Sequence, residues 1–222
     1  MKNKVAYITG GTKGIGFGIA QVLLQNGIKV AISGRKQEDA EAAANLLSKD
    51  QSMVLGIASD VKIFEDEKNA VSEIIKKFGR LDYVIANAGL GIFKPVDQLD
   101  TEDWNNMIDT NLTGVFHSLK ASVEELKKTE GYFISIASLA GTNFFENGAG
   151  YNASKFGVVG FTQAAMIDLR KYNIKVSTIL PGSVSSNFNN NEPSEKDAWK
   201  IQPEDIGELI IDLFKMNPRT LP

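Results

Sequence analysis

Tyr151 and Lys155 stand four residues apart in Tyr151-Asn152-Ala153-Ser154-Lys155. On a helix that spacing stacks two side chains on one face, one turn apart, so a cation is set beside a phenol. An unperturbed Tyr titrates near ~10, and a fixed positive charge close by favours the phenolate. The Tyr151 hydroxyl is therefore expected to exchange protons at milder pH and to serve as general acid or base. The plainer alternative is a half-buried Tyr whose hydroxyl meets a neighbouring ammonium. The choice turns on what else the chain carries.

The elements that would position such a pair begin at the N-terminus. Lys4-Val5-Ala6-Tyr7-Ile8-Thr9 reads as a buried strand running into Gly10-Gly11-Thr12-Lys13-Gly14-Ile15-Gly16, and a helical pattern follows through Ile19, Ala20, Leu23 and Leu24. A strand, a glycine-rich turn and a helix N-terminus form the βα entry to a dinucleotide site. Glycines permit the tight turn and close backbone approach, and the helix end attracts pyrophosphate.

With both elements in view the chain resembles the short-chain dehydrogenase/reductase family over nearly its whole length, and within it 3-oxoacyl-carrier-protein reductases and related carbonyl reductases. The matching motifs come in family order. Gly10, Thr12, Lys13, Gly14, Ile15 and Gly16 are similar to the cofactor loop, Asp60-Val61 to the pair that contacts adenine, and Asn87-Ala88-Gly89 to the segment closing the fourth strand. Pro181, Gly182, Val184 and Ser186 lie in a stretch that resembles the nicotinamide-holding segment. The resemblance implies a catalytic set of Asn111, Ser138, Tyr151 and Lys155. In it Tyr151 gives a proton to a carbonyl oxygen while the nicotinamide delivers hydride, or the reverse. Lys155 lowers the Tyr151 pKa and binds the nicotinamide ribose, Ser138 orients the carbonyl, and Asn111 orders a water linking Lys155 to solvent. Plainer roles stand beside these: a strand-end cap for Ser138, a polar residue tolerated mid-helix for Asn111, and an N-cap for Asp60.

The remaining sequence agrees with one α/β domain over 1–222, a doubly wound Rossmann parallel sheet with helices on both faces. Strands are expected at 5–9, 29–33, 53–58, 83–87, 132–137 and 175–180. Helices are expected at 14–26, 37–49, 62–78, 101–128, 151–172 and 203–215. Ile63, Ala70, Val71, Ile74, Ile75 and Phe78 show the spacing of one buried helical stripe. Six strands are expected; the family's usual seventh has no counterpart before residue 222, which argues against a tetramer and leaves a homodimer through the 101–128 and 151–172 helices. The polar stretch 187–197 reads as a mobile substrate-side loop. It makes a small polar cover suited to small or exposed substrates, with Phe93, Phe144, Phe145 and Trp199 as candidates for an apolar wall.

Of the 222 residues 43% are hydrophobic and 23% charged, and the net charge is −3. That balance leaves no electrostatic footprint for nucleic acid or an anionic membrane, and no apolar run reaches the ~18 residues of a membrane span. A cytoplasmic protein is expected. With no cysteine, thiolate chemistry and Cys-based metal sites are excluded; the single histidine, His117, cannot make a histidine cluster and reads as a packed or surface residue on a helical stretch, and no metal is expected.

Cofactor preference follows from charge. About 20 positions after a glycine loop, a carboxylate suits a free ribose 2′-hydroxyl and an Arg suits a 2′-phosphate. Here the place reads Ser33-Gly34-Arg35-Lys36, with no carboxylate before Glu38. Arg35 offers a fork of donors and Lys13 a second positive charge; the resemblance implies that basic residues at these two positions favour NADP(H) over NAD(H), the plainer alternative being that Arg35 and Lys36 are solvated charges flanking a helix. The function expected is an NADP(H)-dependent oxidoreductase interconverting a ketone or aldehyde with an alcohol. Two alternatives stand beside it: a reductase acting on an acyl carrier protein docked at Lys127-Lys128 and Arg170-Lys171, and a non-catalytic NADP-binding sensor or assembly protein.

Overall fold

All four residues of strand β1 (Val5–Ile8) are buried, as are the inner residues of β2 (Lys29–Gly34) and all of β5 (Tyr132–Ile136). Such unbroken apolar runs are what strands covered on both faces require. The computed structural model describes residues 1–217 and 219–220. Its sheet has six parallel strands in the order β3 (Val54–Ala58), β2, β1, β4 (Tyr83–Ala86), β5 and β6 (Lys175–Ile179). Register pairs Val5 with Lys29 on one side of β1 and Ala6 with Tyr83 on the other. The strand order reverses between β1 and β4, and ligands of open α/β sheets bind outside the carboxyl ends of strands at such a switch point.

Helices α1 (Gly14–Gln25), α2 (Gln37–Leu47) and α7 (Pro203–Lys215) cover one face, where Ile19, Leu23, Ala43 and Ile210 meet Ile8, Ile32 and Ile134. On the other face α3 (Phe64–Phe78), α5 (Gly114–Thr129) and α6 (Ala149–Leu169) set Ile74, Leu119 and Val158 against Tyr7, Val84 and Phe133. Helix α3 opens on Glu65, Asp66 and Glu67, closes on Lys76 and Lys77, and stops at Gly79 with φ 77°, a left-handed turn that glycine adopts without a Cβ penalty.

Three expectations are corrected. The single helix expected over 101–128 is divided: α4 (Thr101–Ile108) passes through a π-helical turn, Asp109–Thr113, before α5, and Asn111 sits in that turn. An inserted π turn re-aims side chains within a helix, and here it accounts for an Asn where the helical pattern is otherwise regular. Ile63 leaves the buried stripe of α3; it is the N-cap and is half exposed, because an Asx turn at Asp60 delays the helix start to Phe64. Helix α6 begins at Ala149 instead of 151, and its expected last turn, Arg170–Tyr172, tightens to 3-10 geometry. No seventh strand is paired to the sheet among the described residues; of the expected terminal segment, Pro218, Leu221 and Pro222 lie outside them. Among the described residues no helix is long and apolar enough to cross a membrane, and no cluster of three metal-ligating side chains occurs.

Candidate active site

The glycine loop joins β1 to α1 at the switch point, and the close approaches there explain the glycines. Gly10 has φ +63°, and a Cβ on it would lie 2.9 Å from Ala88 Cα; a Cβ on Gly16 would lie 2.5 Å from Asn87 Nδ2. Asn87 braces the loop: its Nδ2 donates to the Thr9 and Gly10 carbonyls (2.9 and 3.1 Å), while Thr9 Oγ1 accepts the Asn87 and Ala88 N–H groups (3.0 and 3.1 Å). Helix α1 has no side-chain cap and no acid in its first turn. Its first N–H groups and the positive end of its dipole therefore face the loop uncompensated, which suits a phosphate.

The adenosine side is built from β2 and β3. The Gly11 N–H donates to the Ser33 carbonyl at 3.0 Å, and Thr12 packs where a Cβ on Gly34 would stand, 2.6 Å from its Cγ2. This brings Lys13 and Arg35 to one edge; both are exposed and neither has an ion-pair partner among the described residues. Asp60 is taken up locally, its Oδ1 accepting the Lys62 N–H (3.0 Å). Buried Val61 is held by Gly114 and by His117, whose Nδ1 lies 2.8 Å from the Val61 carbonyl. Beneath this edge Glu67 is fully buried, with Oε1 2.8 Å from the Tyr7 hydroxyl and 2.6 Å from that of Ser59, which ties α3 to β1 and to the β3 end.

Tyr151, Lys155, Ser138 and Asn111 converge at the carboxyl ends of β4 and β5. Ser138 follows β5 and caps the 3-10 turn Leu139–Gly141, its hydroxyl accepting the Ala140 N–H (3.1 Å). Tyr151 is 8% exposed. Burial pushes its pKa above the usual value, while a hydrogen bond with the Ser138 side chain draws it back down. The expectation that Lys155 lowers the Tyr151 pKa is not met in this structure. Lys155 is buried, its Nζ donates to the Ile136 carbonyl (3.0 Å) and lies 5.7 Å from the Tyr151 ring centroid, and burial depresses its own pKa to about 8.

Asn111 acts as a brace. Its Oδ1 accepts the Leu90 N–H (2.8 Å), and its Nδ2 donates to the Leu90 carbonyl (2.8 Å) and to Ser154 Oγ (2.9 Å). With both donors so engaged, its side chain couples the β4 loop to α6. A Cβ on Gly89 would lie 3.3 Å from Asn111 Oδ1 and 3.7 Å from Lys155 Nζ, so the residue 89 backbone passes close to both groups. Asn152, inside the Tyr-x-x-x-Lys spacing, was missed by sequence reasoning: its Nδ2 donates to the Ala140 and Asn143 carbonyls (both 2.7 Å) and shapes the Ser138 turn.

After β6, Pro181, Gly182, Val184 and Ser186 lead into the 187–197 segment, which is stapled at both ends. Val184 bridges Ile201, and the Ser185 N–H donates to the Ile201 carbonyl (2.8 Å). Within the segment are short 3-10 turns, Phe188–Asn190 and Glu195–Asp197. Phe188, its one aromatic, was not singled out from the sequence, yet its ring stands 5.8 Å from that of Tyr151. Of the expected wall, Phe93 and Phe145 meet Tyr151 at 5.4 and 6.4 Å. Phe144 stacks instead on Phe156, and Trp199 is 76% exposed beside Lys200.

Comparison with known proteins agrees with this geometry. The short chain dehydrogenase family model matches residues 4–197. A trans-4-hydroxycyclohexanecarboxylate dehydrogenase of Sinomonas cyclohexanicum is 35% identical over 82% of this chain and 73% of its own. An uncharacterised oxidoreductase of Staphylococcus aureus (strain USA300) is 33% identical over 95% of this chain and 90% of its own. Among solved structures, an alcohol dehydrogenase from the archaeon Thermococcus sibiricus, complexed with 5-hydroxy-NADP, superposes with a TM-score of 0.91 at 30% identity, covering 98% of this chain and 93% of that one. A 3-ketoacyl-(acyl-carrier-protein) reductase from Brucella melitensis, complexed with NADH, gives 0.87 at 26% identity over 96% and 90%. The chain belongs to the short chain dehydrogenase family and is an oxidoreductase of that family.

Proposed function

We propose that this enzyme interconverts a ketone or aldehyde with an alcohol, uses NADP(H) in preference to NAD(H), and employs Tyr151 as its proton donor and acceptor. The observation that carries the reading is the meeting of Tyr151, Ser138 and Lys155 at the switch point, beside a glycine cradle whose close approaches exclude a Cβ. The glycine loop, the α1 N-terminus, Val61, Gly89 and the 181–186 segment would hold a nicotinamide cofactor, which would supply or accept hydride. The chain does the rest. Ser138 presents its hydroxyl to the carbonyl oxygen and to Tyr151, and Tyr151 delivers the proton to that oxygen. Its raised pKa keeps that proton in place at neutral pH, which suits a donor. Lys155, cationic below about pH 8, would hold the nicotinamide ribose.

Tyr151→Phe keeps the ring and its packing. Cofactor affinity should survive while turnover on the best of a carbonyl panel falls by several powers of ten; near-full activity would refute the assignment.

Preference for NADP(H) rests on the unpaired Lys13 and Arg35. The carrier-protein alternative has less support, since Lys127 and Lys128 are already held by Glu124 and Glu125 (2.7 and 2.6 Å). A binding-only protein would have no use for the assembled proton donor. The absence of cysteine and of a spanning helix among the described residues supports the cytoplasm as its place. Phe116, Phe156 and Ile167, apolar and exposed on α5 and α6, support a homodimer, which light scattering would test.

A further inference from the structure

Three phenyl rings from separate segments surround the Tyr151 ring. Phe93 follows β4 and meets it edge-on, 5.4 Å away at 79°; Phe145 follows β5 at 6.4 Å and 59°; Phe188 follows β6 at 5.8 Å and 53°. Their backbone is shaped for this. A Cβ on Gly91 would lie 2.8 Å from Cζ of both Phe93 and Phe188, and one on Gly148 would lie 2.7 Å from Phe145 Cζ. The Lys94 N–H donates to the Asn147 carbonyl (3.0 Å), joining the segments that carry Phe93 and Phe145. Those two rings remain 37% and 45% exposed, although they pack edge-on against each other at 5.6 Å. Partly exposed aromatic surface around a proton donor is the lining of a site for a flat apolar group.

Charge narrows the ligand further. Across the segments 88–93, 138–152 and 181–197 the one cation is Lys196, which is exposed and flanked in sequence by Glu195 and Asp197, and the segments also contain Glu146 and Glu192. The adjoining Lys94 is committed to Asp103 and Asp100. Buried Lys155 is turned to the Ile136 carbonyl. An anionic substrate entering this collar would lose its hydration without gaining a cation in exchange.

We propose that the substrate is an uncharged ketone bearing an aromatic ring next to its carbonyl, or the corresponding secondary alcohol, and that Phe93, Phe145 and Phe188 select it. This rests on the carbonyl-reductase reading above. In the reduction a C–H bond forms from hydride given by the reduced nicotinamide, which is itself oxidised. The C=O π bond breaks, the Tyr151 O–H proton goes to the oxygen, and Tyr151 is reprotonated from solvent.

The test compares acetophenone, 2-octanone and 4-oxocyclohexanecarboxylate as substrates of the unmodified enzyme with NADPH, and then with Phe93→Leu and Phe188→Leu, which keep apolar bulk and remove the ring. Acetophenone should exceed both others in kcat/KM by at least about tenfold. Each variant should lose about three- to tenfold on acetophenone, mainly through KM, and clearly less than that on 2-octanone. Calorimetric titration of 1-phenylethanol into the NADP-loaded protein should show the same loss in the variants. Preference for the carboxylate or the alkyl ketone, equal losses on both neutral ketones, or reduction of other carbonyls but none of these three would overturn the substrate class and leave the proposed function standing. No reduction of any carbonyl would overturn both.

Discussion

Lys155 concentrates the conflict between stability and function in one side chain. It is buried among α6 and β5, and burial brings its pKa to about 8, below the ordinary lysine value of about 10.4. The unfolded chain therefore binds more protons between those two values, so the cost of burying the ammonium is fully present below about pH 8 and is relieved as pH rises toward about 10. Lys155→Met should raise unfolding free energy at pH 7 by on the order of 1–3 kcal/mol, with a smaller gain at pH 10, while turnover is lost. Urea denaturation at both pH values checks this. A loss of stability at pH 7 would mean that the bond from Nζ to the Ile136 carbonyl outweighs the burial cost.

At the scale of elements, the cofactor edge is made where the glycine loop touches the end of β2. The Gly11 N–H is bonded to the Ser33 carbonyl, which ties the segments that carry Lys13 and Arg35. Arg35→Asp should lower NADPH affinity by one to two powers of ten, the equivalent of about 1.5–3 kcal/mol for a lost charge-assisted contact, and reverse or abolish any preference over NADH. Direct titration of both cofactors decides it; equal affinities in the unmodified enzyme would remove the phosphate-clamp reading. The 187–197 segment makes a second case. Its stapled ends predict slow amide exchange at Ser185 and Ile201, whereas the polar residues between 189 and 196 lack the apolar surface to order themselves and should exchange fast until cofactor and a carbonyl compound are added. Strong protection of 189–196 in the protein alone would make the segment a fixed part of the fold.

Across the whole molecule, the amino ends of the central strands β1 and β4, opposite the site, are held by charge. Asp82, 1% exposed at the start of β4, accepts the Val5 N–H (3.0 Å), Lys4 Nζ (2.8 Å) and Arg80 Nη2 (2.6 Å). Burial alone would raise its carboxyl pKa, but the bonds from Arg80, Lys4 and Val5 outweigh burial and hold it below the usual value. A depressed carboxylate contributes stability that is present above the unfolded pKa of about 3.9 and is lost as pH falls through the lower folded value. Asp82→Asn should cost on the order of 1–3 kcal/mol at pH 7, with the difference from the unmodified protein shrinking below about pH 4. Denaturation curves at pH 7 and pH 3 measure it, and a difference independent of pH would show that shape and not charge is what Asp82 supplies.

Local chemistry was legible in the residues themselves. Short, mostly apolar runs at β1 and β5 read as strands covered on both faces, a glycine-rich turn between strand and helix admits close backbone approach, and Tyr151 with Lys155 shares a helix face by spacing alone. Those features are set by neighbours in sequence, which is why the six parallel strands, the tight glycine turn and the pairing of Tyr151 with Lys155 on one helix face could be expected before any coordinates. Packing decided the rest. That Lys155 turns to the Ile136 carbonyl, that Asn111 sits in a π turn with its amide engaged by Leu90 and Ser154, and that Phe188 crosses from a polar stretch to Tyr151 all depend on contacts between segments tens of residues apart. So does the direction of the Tyr151 pKa: spacing reports the nearby cation, but only the folded chain reports the burial that raises the phenol and the Ser138 hydrogen bond that partly offsets it.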